Sequence, residues 1–358
     1  MAGHFSTFVV VNPTAGAGSV ARQWQLIDRL LRSTIPELAY AFTEAPGHAT
    51  LLTREALRAG WEMVVSVGGD GTLNEVINGF CEQSDPHSCY RIDEEGWISR
   101  RASAPPALSS AAVLGMLPLG TGSDFRRSIG LSGSLRQGVE MLAGRETRHV
   151  DLGQIGYLDH RGELATRFFV NISSAGFSGR VVDFANRGWK GGGGRLSFFL
   201  ASLRALASWS NLEMAVRLDD GVEIRGRMLG LIVANGGYFG GGMWIAPGAS
   251  LDDGQFEVVV LGDLPRWQLP GLLPRIYRGT HVKDARISCH HARQVSVRLT
   301  TAAVPGLIDL DGEQPGCLPA MWNLQPRELR LKVRASRELG QSSSTPGRRA
   351  KEMCGSSS

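Results

Sequence analysis

Holding a phosphate takes backbone N–H donors and a neutralising cation, and one stretch of this chain has the residues for both. In Val64-Val65-Ser66-Val67-Gly68-Gly69-Asp70-Gly71-Thr72-Leu73-Asn74-Glu75 an apolar run stops at glycines set around a carboxylate, and a helical pattern begins at once. Glycine lets amides approach an anion with no Cβ in the way, and the N-terminus of the next helix aims at the same spot. Asp70 repels phosphate on its own, and its place in the turn makes sense if a divalent cation lies between carboxylate and phosphates. The same residues also suit a plain strand-to-helix turn with a capping aspartate. Far downstream, Ile308-Asp309-Leu310-Asp311-Gly312-Glu313 puts carboxylates at a turn after a strand. Alone, that segment equally describes a solvated hairpin tip.

The elements that must position these groups read as alternating strands and helices. Phe8 to Val11 is a buried strand, followed by a turn at Asn12-Pro13-Thr14-Ala15-Gly16-Ala17-Gly18 and a helix carrying Val20, Trp24, Ile27, Leu30 and Leu31. Gly16 to Ala21 also fits the GxGxxA dinucleotide fingerprint with Glu44 as ribose acid, though Pro13 is foreign to that motif. Gly47-His48-Ala49-Thr50 opens a second helix. Thr72 and Glu75 have capping-box spacing before Leu73, Val76, Ile77 and Phe80, which share one helical face. Leu114 to Leu119 resumes a strand that ends in Gly120-Thr121-Gly122-Ser123-Asp124-Phe125. Strands alternating with helices imply a mostly parallel sheet, whose strand ends would gather the three small-residue turns at one ligand site. Residues 83 to 112 read as a polar, irregular surface insertion.

Near Val150 the texture changes to short alternating segments: Phe168 to Ile172, Leu212 to Leu218, Val222 to Ile232, Phe256 to Leu261, Val295 to Leu299 and Leu329 to Val333. Such spacing predicts an antiparallel sandwich, interrupted by helices around Leu196 to Leu206 and Leu269 to Ile276. The expected domains are 1–145 and 146–320, with part of 320–336 returning to the first, and 337–358 as a disordered tail.

Composition narrows the function classes. With 42% apolar and 20% charged residues in 358, the chain is globular and long enough for two domains. A net charge of +4 without a Lys/Arg run gives no footprint for nucleic acid. Five scattered cysteines without CxxC spacing suit reduced thiols and a cytoplasmic setting. No stretch approaches the roughly 20 apolar residues of a membrane span. A lipid substrate would therefore be met by transient association with the membrane surface. A homodimer is compatible with the sequence.

In order, the segments Asn12-Pro13-x-x-Gly16, Gly47-His48-Ala49, Gly68 to Thr72 with Asn74-Glu75-Val76 and Asn78-Gly79, Pro118-x-Gly120-Thr121-Gly122-x-Asp124-Phe125, Asn235-Gly236-x-Tyr238-x-Gly240-Gly241-Gly242, Ile245 to Gly254 and Asp311-Gly312-Glu313 resemble the diacylglycerol kinase catalytic-domain family. That family includes bacterial soluble lipid kinases and the sphingosine and ceramide kinases. The resemblance implies a phosphofructokinase-like parallel α/β domain followed by an antiparallel β-sandwich domain, and transfer of the γ-phosphate of ATP to a lipid hydroxyl with Mg2+. Diacylglycerol or a related glycerolipid is the expected acceptor.

Residue by residue, the resemblance places Asn12, Pro13, Gly16, Gly68, Gly69, Gly71, Thr72, Gly120 and Thr121 around ATP, with Thr43 and His48 toward adenine and ribose. It makes Asp70 the acid linked to magnesium and phosphates, Asp311 the general base, and Glu313 the neighbouring metal- or water-ordering carboxylate. Asp253 matches a ligand of a separate structural magnesium, Asp124 a carboxylate of the substrate cleft, and Arg187 and Lys190 a phosphate-clamping basic patch. Ser123 stands where the family usually has Asn, and residues 83–112 are longer than usual. Tyr238, Phe239, Met243 and Trp244 suit either core or an apolar mouth for an acyl chain. Two other classes share parts of the pattern: an NAD-kinase-like or other small-molecule kinase, through GGDGT, and a non-catalytic nucleotide- or lipid-binding relative. Retention of both Asp70 and Asp311 argues against the latter.

Overall fold

The computed structural model describes residues 5–81, 85–101, 111–120, 122–131, 133–187, 209–219, 221–301 and 304–334. The expected helix around Leu196 to Leu206 and the tail at 337–358 lie outside them. The first half alternates as expected: β1 (Thr7–Val11), α1 (Ala15–Arg32), β2 (Leu38–Phe42), α2 (His48–Arg58), β3 (Met63–Gly68) and α3 (Asp70–Phe80). Then follow α4 (Pro86–Cys89), β4 (Tyr90–Ile92), β5 (Ile98–Arg100), β6 (Val113–Pro118), α5 (Phe125–Ser128) and α6 (Leu135–Ala143). β1 pairs in parallel with β2 and β3, and β3 with β6. Helices cover a parallel sheet on both faces, which is why β3 reads as an unbroken apolar run and is buried throughout. From α1, Val20, Trp24, Ile27 and Leu31 fall on one helical face and are buried against that sheet.

The second half comprises β7 (Thr147–Asp159), β8 (Leu164–Phe169), β9 (Ile172–Gly176), α7 (Phe177–Arg187), β10 (Leu212–Leu218), β11 (Val222–Met228), β12 (Gly230–Ala234), β13 (Tyr238–Phe239), β14 (Met243–Trp244), β15 (Phe256–Leu261), α8 (Leu269–Tyr277), β16 (Ile287–Ala292), β17 (Gln294–Leu299), β18 (Ile308–Leu310) and β19 (Gly316–Lys332). One antiparallel sheet runs β16-β15-β12-β9-β18. It shares a core with β7, β10, β17 and β19, where Ile155, Val216, Val297 and Trp322 meet Ile232, Val258 and Ile308. This is the sandwich that the alternating segments imply.

Several expectations need correction. The segment Phe168 to Ile172 is not one strand but the break between β8 and β9, and Val222 to Ile232 divides into β11 and β12. The long β7 was not anticipated. Within 83–112, residues 85–101 are not a loose surface decoration: α4, β4 and β5 fold into a small unit that buries Cys89, Tyr90, Trp97 and Ile98. That unit lies against the sandwich half. The guanidinium groups of Arg217 and Arg298 lie over the Trp97 ring, 4.2 and 4.9 Å from its centroid, and Asn323 Nδ2 donates to the Tyr90 hydroxyl at 3.2 Å.

The two halves also share a strand. β19 pairs antiparallel with β17 near its start and with β7 over most of its length, and at Leu331 it pairs in parallel with Leu114 of β6. One sheet therefore continues from β11 through β19 to β2. Val150, Leu152, Phe168, Val170, Leu251, Leu329 and Leu331 belong to the core of the first half.

Candidate active site

The turns after β1, β3 and β6 touch one another. Asn12 Nδ2 donates to Thr72 Oγ1 at 2.9 Å, while its Oδ1 accepts from the Thr14 amide and hydroxyl. The amides of Leu119 and Gly120 both donate to Gly68 O, at 2.9 and 3.0 Å. The approach is so close that a Cβ on Gly120 would lie 2.4 Å from Gly69 Cα, and one on Gly16 would lie 2.7 Å from Leu119 O. Gly16, Ala17 and Gly18 all have positive φ, so helical geometry in α1 starts only beyond them. Pro13 sits in the same turn, and its carbonyl accepts from the Ala21 amide.

Thr43 and His48 border this floor from β2 and α2: the Thr43 amide donates to Val11 O, and His48 Nδ1 accepts from the Glu44 amide. The capping-box expectation for Glu75 is wrong. Thr72 lies inside α3, whose N-cap is Gly69, and the Glu75 carboxylate instead accepts from the amides of Gly47 and Ala49. It therefore caps α2, a role that spacing along α3 could not reveal.

The distant carboxylate turn arrives at the same place. β18 ends at Leu310, and Asp311 turns with φ 48. Its Oδ2 accepts from Asn74 Nδ2 at 2.9 Å and its Oδ1 from the Ile172 amide at 3.0 Å. Glu313 lies over the first turn of α3, where a Cβ on Gly71 would be 3.1 Å from Glu313 Oε1, and it pairs with Arg167 at 2.7 Å. Asn74 and Asn78 both donate to Phe168 O, and Asn78 Oδ1 accepts from the Phe168 amide. α3 thus carries the phosphate-type turn at its start and is stitched along its length to the sandwich half.

Asp124 closes the third side. Its amide donates to Asp70 Oδ2 at 3.0 Å, and its own Oδ2 accepts from the Gly241 amide at 2.7 Å. Burial, and secondarily the nearby charges of Asp124 and Asp311, push the Asp70 carboxyl up to about 7. Burial likewise raises Asp311 to about 6, opposed by its hydrogen bonds from Asn74 and the Ile172 amide. Asp309 is buried; it accepts from the Gly312 amide and the Ser174 hydroxyl, and burial raises it to about 7.

These residues fit a hard cation. Asp70 Oδ1 and Asp124 Oδ1 are buried and have no hydrogen-bond partner, although Arg127 Nε is 3.6 Å from the latter. Among the described residues, no cluster of three or more His, Cys, Asp or Glu side chains could enclose a metal by itself. One or two carboxylates completed by phosphate oxygens is the mode that magnesium favours. Asp253 does not join Asp70 and Glu313. It lies at the turn before β15, where its Oδ1 accepts from the Gln255 amide and its charge acts on Asp151 and Glu257. Thr121 and Lys190 lie outside the described residues, as does the side chain of Arg187, which is in the last turn of α7.

Sequence reasoning assigned no role to Arg167 or Asn74. The one signal for Arg167 was a cation in a strand of otherwise apolar and small residues.

Comparison with known proteins agrees with this architecture. Residues 6–155 match the model of the diacylglycerol kinase catalytic domain, and residues 171–333 that of the YegS C-terminal NAD kinase beta sandwich-like domain. A diacylglycerol kinase of Staphylococcus haemolyticus is 25% identical over 313 residues, covering 87% of this chain and 83% of the relative. One from Bacillus subtilis is 25% identical over 312 residues, covering 87% and 90%. The crystal structure of a diacylglycerol kinase from Bacillus anthracis superposes with a TM-score of 0.63 at 17% identity, covering 93% of this chain and 98% of that one, which is a likeness of fold. The catalytic-domain match and the curated diacylglycerol kinase relatives make this two-half architecture an enzyme of the lipid-kinase class. The chain belongs to the diacylglycerol kinase catalytic-domain family.

Proposed function

We propose that this enzyme transfers the γ-phosphoryl group of ATP, with magnesium, to the hydroxyl of a membrane lipid, diacylglycerol or a related glycerolipid. The observation that carries the reading is the meeting of Asp311, from the sandwich half, with Asn74, in the helix that begins at the glycine turn. A base for an alcohol belongs there, beside the end of a triphosphate and on the side from which the acceptor comes.

The glycine turns offer amides to phosphate oxygens, and Gly68, Gly69 and Gly120 leave no side chain between backbone and ligand. Magnesium, when bound, would neutralise phosphate charge, and Asp70 and Asp124 supply the unpartnered oxygens to hold it. Asp311 orients the acceptor hydroxyl. As the new O–P bond forms and the bond to the ADP oxygen breaks, the hydroxyl proton passes to its carboxylate. An ordinary or slightly raised carboxylate suffices, because the proton leaves late in a loose transition state. Arg167 holds Glu313 beside Gly71.

The test incubates the purified chain with γ-labelled ATP and, in parallel, diacylglycerol, other lipid alcohols, NAD and sugar phosphates. Label should enter the lipid phase, and Asp311→Asn should remove at least about 100-fold of that activity while MgATP affinity stays within a few-fold. Label entering only the water-soluble acceptors, or full turnover by the variant, would refute the reading.

A further inference from the structure

α8 presents an uncovered apolar face. Leu269, Leu272 and Ile276 point into the sandwich core, and the opposite stripe of Pro270, Leu273, Pro274 and Tyr277 is exposed. Trp267, in the single turn Arg266–Gln268 that leads into the helix, extends the stripe and is 75% exposed; Tyr277 is 52% and Leu273 44% exposed. Large aromatic and aliphatic groups on one helical stripe are costly in water and match the boundary between lipid headgroups and acyl chains, where Trp and Tyr concentrate.

Basic groups outnumber acidic ones around the stripe, and the exposed Asp263 nearby is paired with Arg227. Arg266, Arg278 and Lys283 are exposed beside it, whereas Asp284 is engaged by both Arg275 and Arg286. Such a rim suits anionic headgroups. The end of the helix that carries the stripe also packs beside the candidate site. Gly279, just beyond α8, lies under Trp244, where an added Cβ would be 2.7 Å from the indole. Trp244 stacks on Tyr238, and the loop between them carries Gly241, whose amide reaches Asp124.

We infer that Trp267 and the exposed face of α8 form the surface by which this protein docks on an anionic lipid bilayer, bringing the Tyr238–Trp244 hairpin and the Asp124 side of the cleft to the membrane. The inference rests on the lipid acceptor proposed above for its purpose, but its test does not require turnover.

The full chain is mixed with sedimentable vesicles of phosphatidylcholine, with and without phosphatidylglycerol. Binding should be stronger with the anionic lipid. A Trp267→Ala, Leu273→Ala, Tyr277→Ala triple variant should bind at least about tenfold more weakly. Arg278→Glu should lose roughly fivefold or more on anionic vesicles and little on neutral ones. Circular dichroism and thermal melting check that the variants fold. Phosphorylation of a monodisperse short-chain diacylglycerol by the triple variant should stay within twofold of the parent while that of vesicle-embedded lipid falls. Unchanged vesicle binding would overturn the inference. So would dimerisation of the parent that the triple variant abolishes, which would make the stripe a contact between copies. Patch-dependent binding without phosphorylation of any lipid would keep the docking surface and refute the kinase reading.

Discussion

Asn74 and Asp311 are separated by 237 positions in the chain and by 2.9 Å in space. The bond ties the helix that starts at the glycine turn to the carboxylate that would accept the acceptor's proton. It also keeps that carboxylate more acidic than its burial alone would allow.

Asn74→Ala should therefore act on rate more than on nucleotide binding. On the order of tenfold to 100-fold of kcat should be lost, with KM for ATP within threefold. Removing a bond that favours the charged form moves Asp311 further above 6, so the pH below which the rate falls should rise. A pH–rate profile distinguishes this from a merely structural loss, which would leave the acid limb in place.

Asp309→Asn addresses stability. The Asp309 carboxyl titrates near 7 in the fold, against 3.8 ordinarily, because burial disfavours its charge. The folded state thus holds a proton that the unfolded chain releases, so this stabilisation is complete below the ordinary value and is lost as pH rises through about 7. Asparagine stays neutral and keeps an oxygen for the Gly312 amide. Its advantage over the parent should grow across that interval and level off above it, reaching about 1–3 kcal/mol. Melting temperatures of both proteins at pH 5, 6, 7 and 8, roughly spanning that window, measure it. A constant offset would count against the assignment.

Trp97→Ala tests the 85–101 unit. The indole is buried and is contacted by two guanidinium groups of the sandwich half. Its removal should cost about 3–5 kcal/mol and expose the unit to proteolysis. An unaltered digestion pattern would show that Trp97 does not hold the unit in place.

What sequence reasoning could reach followed the reach of each interaction. The strand, glycine turn and helix around Asp70 are local, so period and turn chemistry revealed them. The convergence of three turns followed from parallel-sheet topology. Asp311 could be paired with Asp70 only through resemblance, since no local pattern links residues so far apart. Glu75 was misread because its carboxylate serves a neighbouring helix and not its own. The 85–101 unit was misread because Trp97 is buried by arginines, and a polar composition ordinarily signals solvent. β7 was missed because its small and charged residues, such as Gly153, Gly156 and Asp151, dilute the apolar alternation. Gly153 and Gly156 are small because the rings of Phe169 and Tyr90 occupy the space where their Cβ atoms would be.

The strand β19 has a consequence for how the protein is made. Leu329 and Leu331 complete the core of the nucleotide-type half, yet they are translated after everything else in both cores. During synthesis the glycine turns can form, but the sheet beneath them lacks its last strand until residue 332 has cleared the ribosome tunnel. The first half cannot finish folding ahead of the second, as N-terminal domains usually do. A nascent chain stalled before β19 would hold every phosphate-type turn and the acceptor-side carboxylate, and still have no completed enzyme.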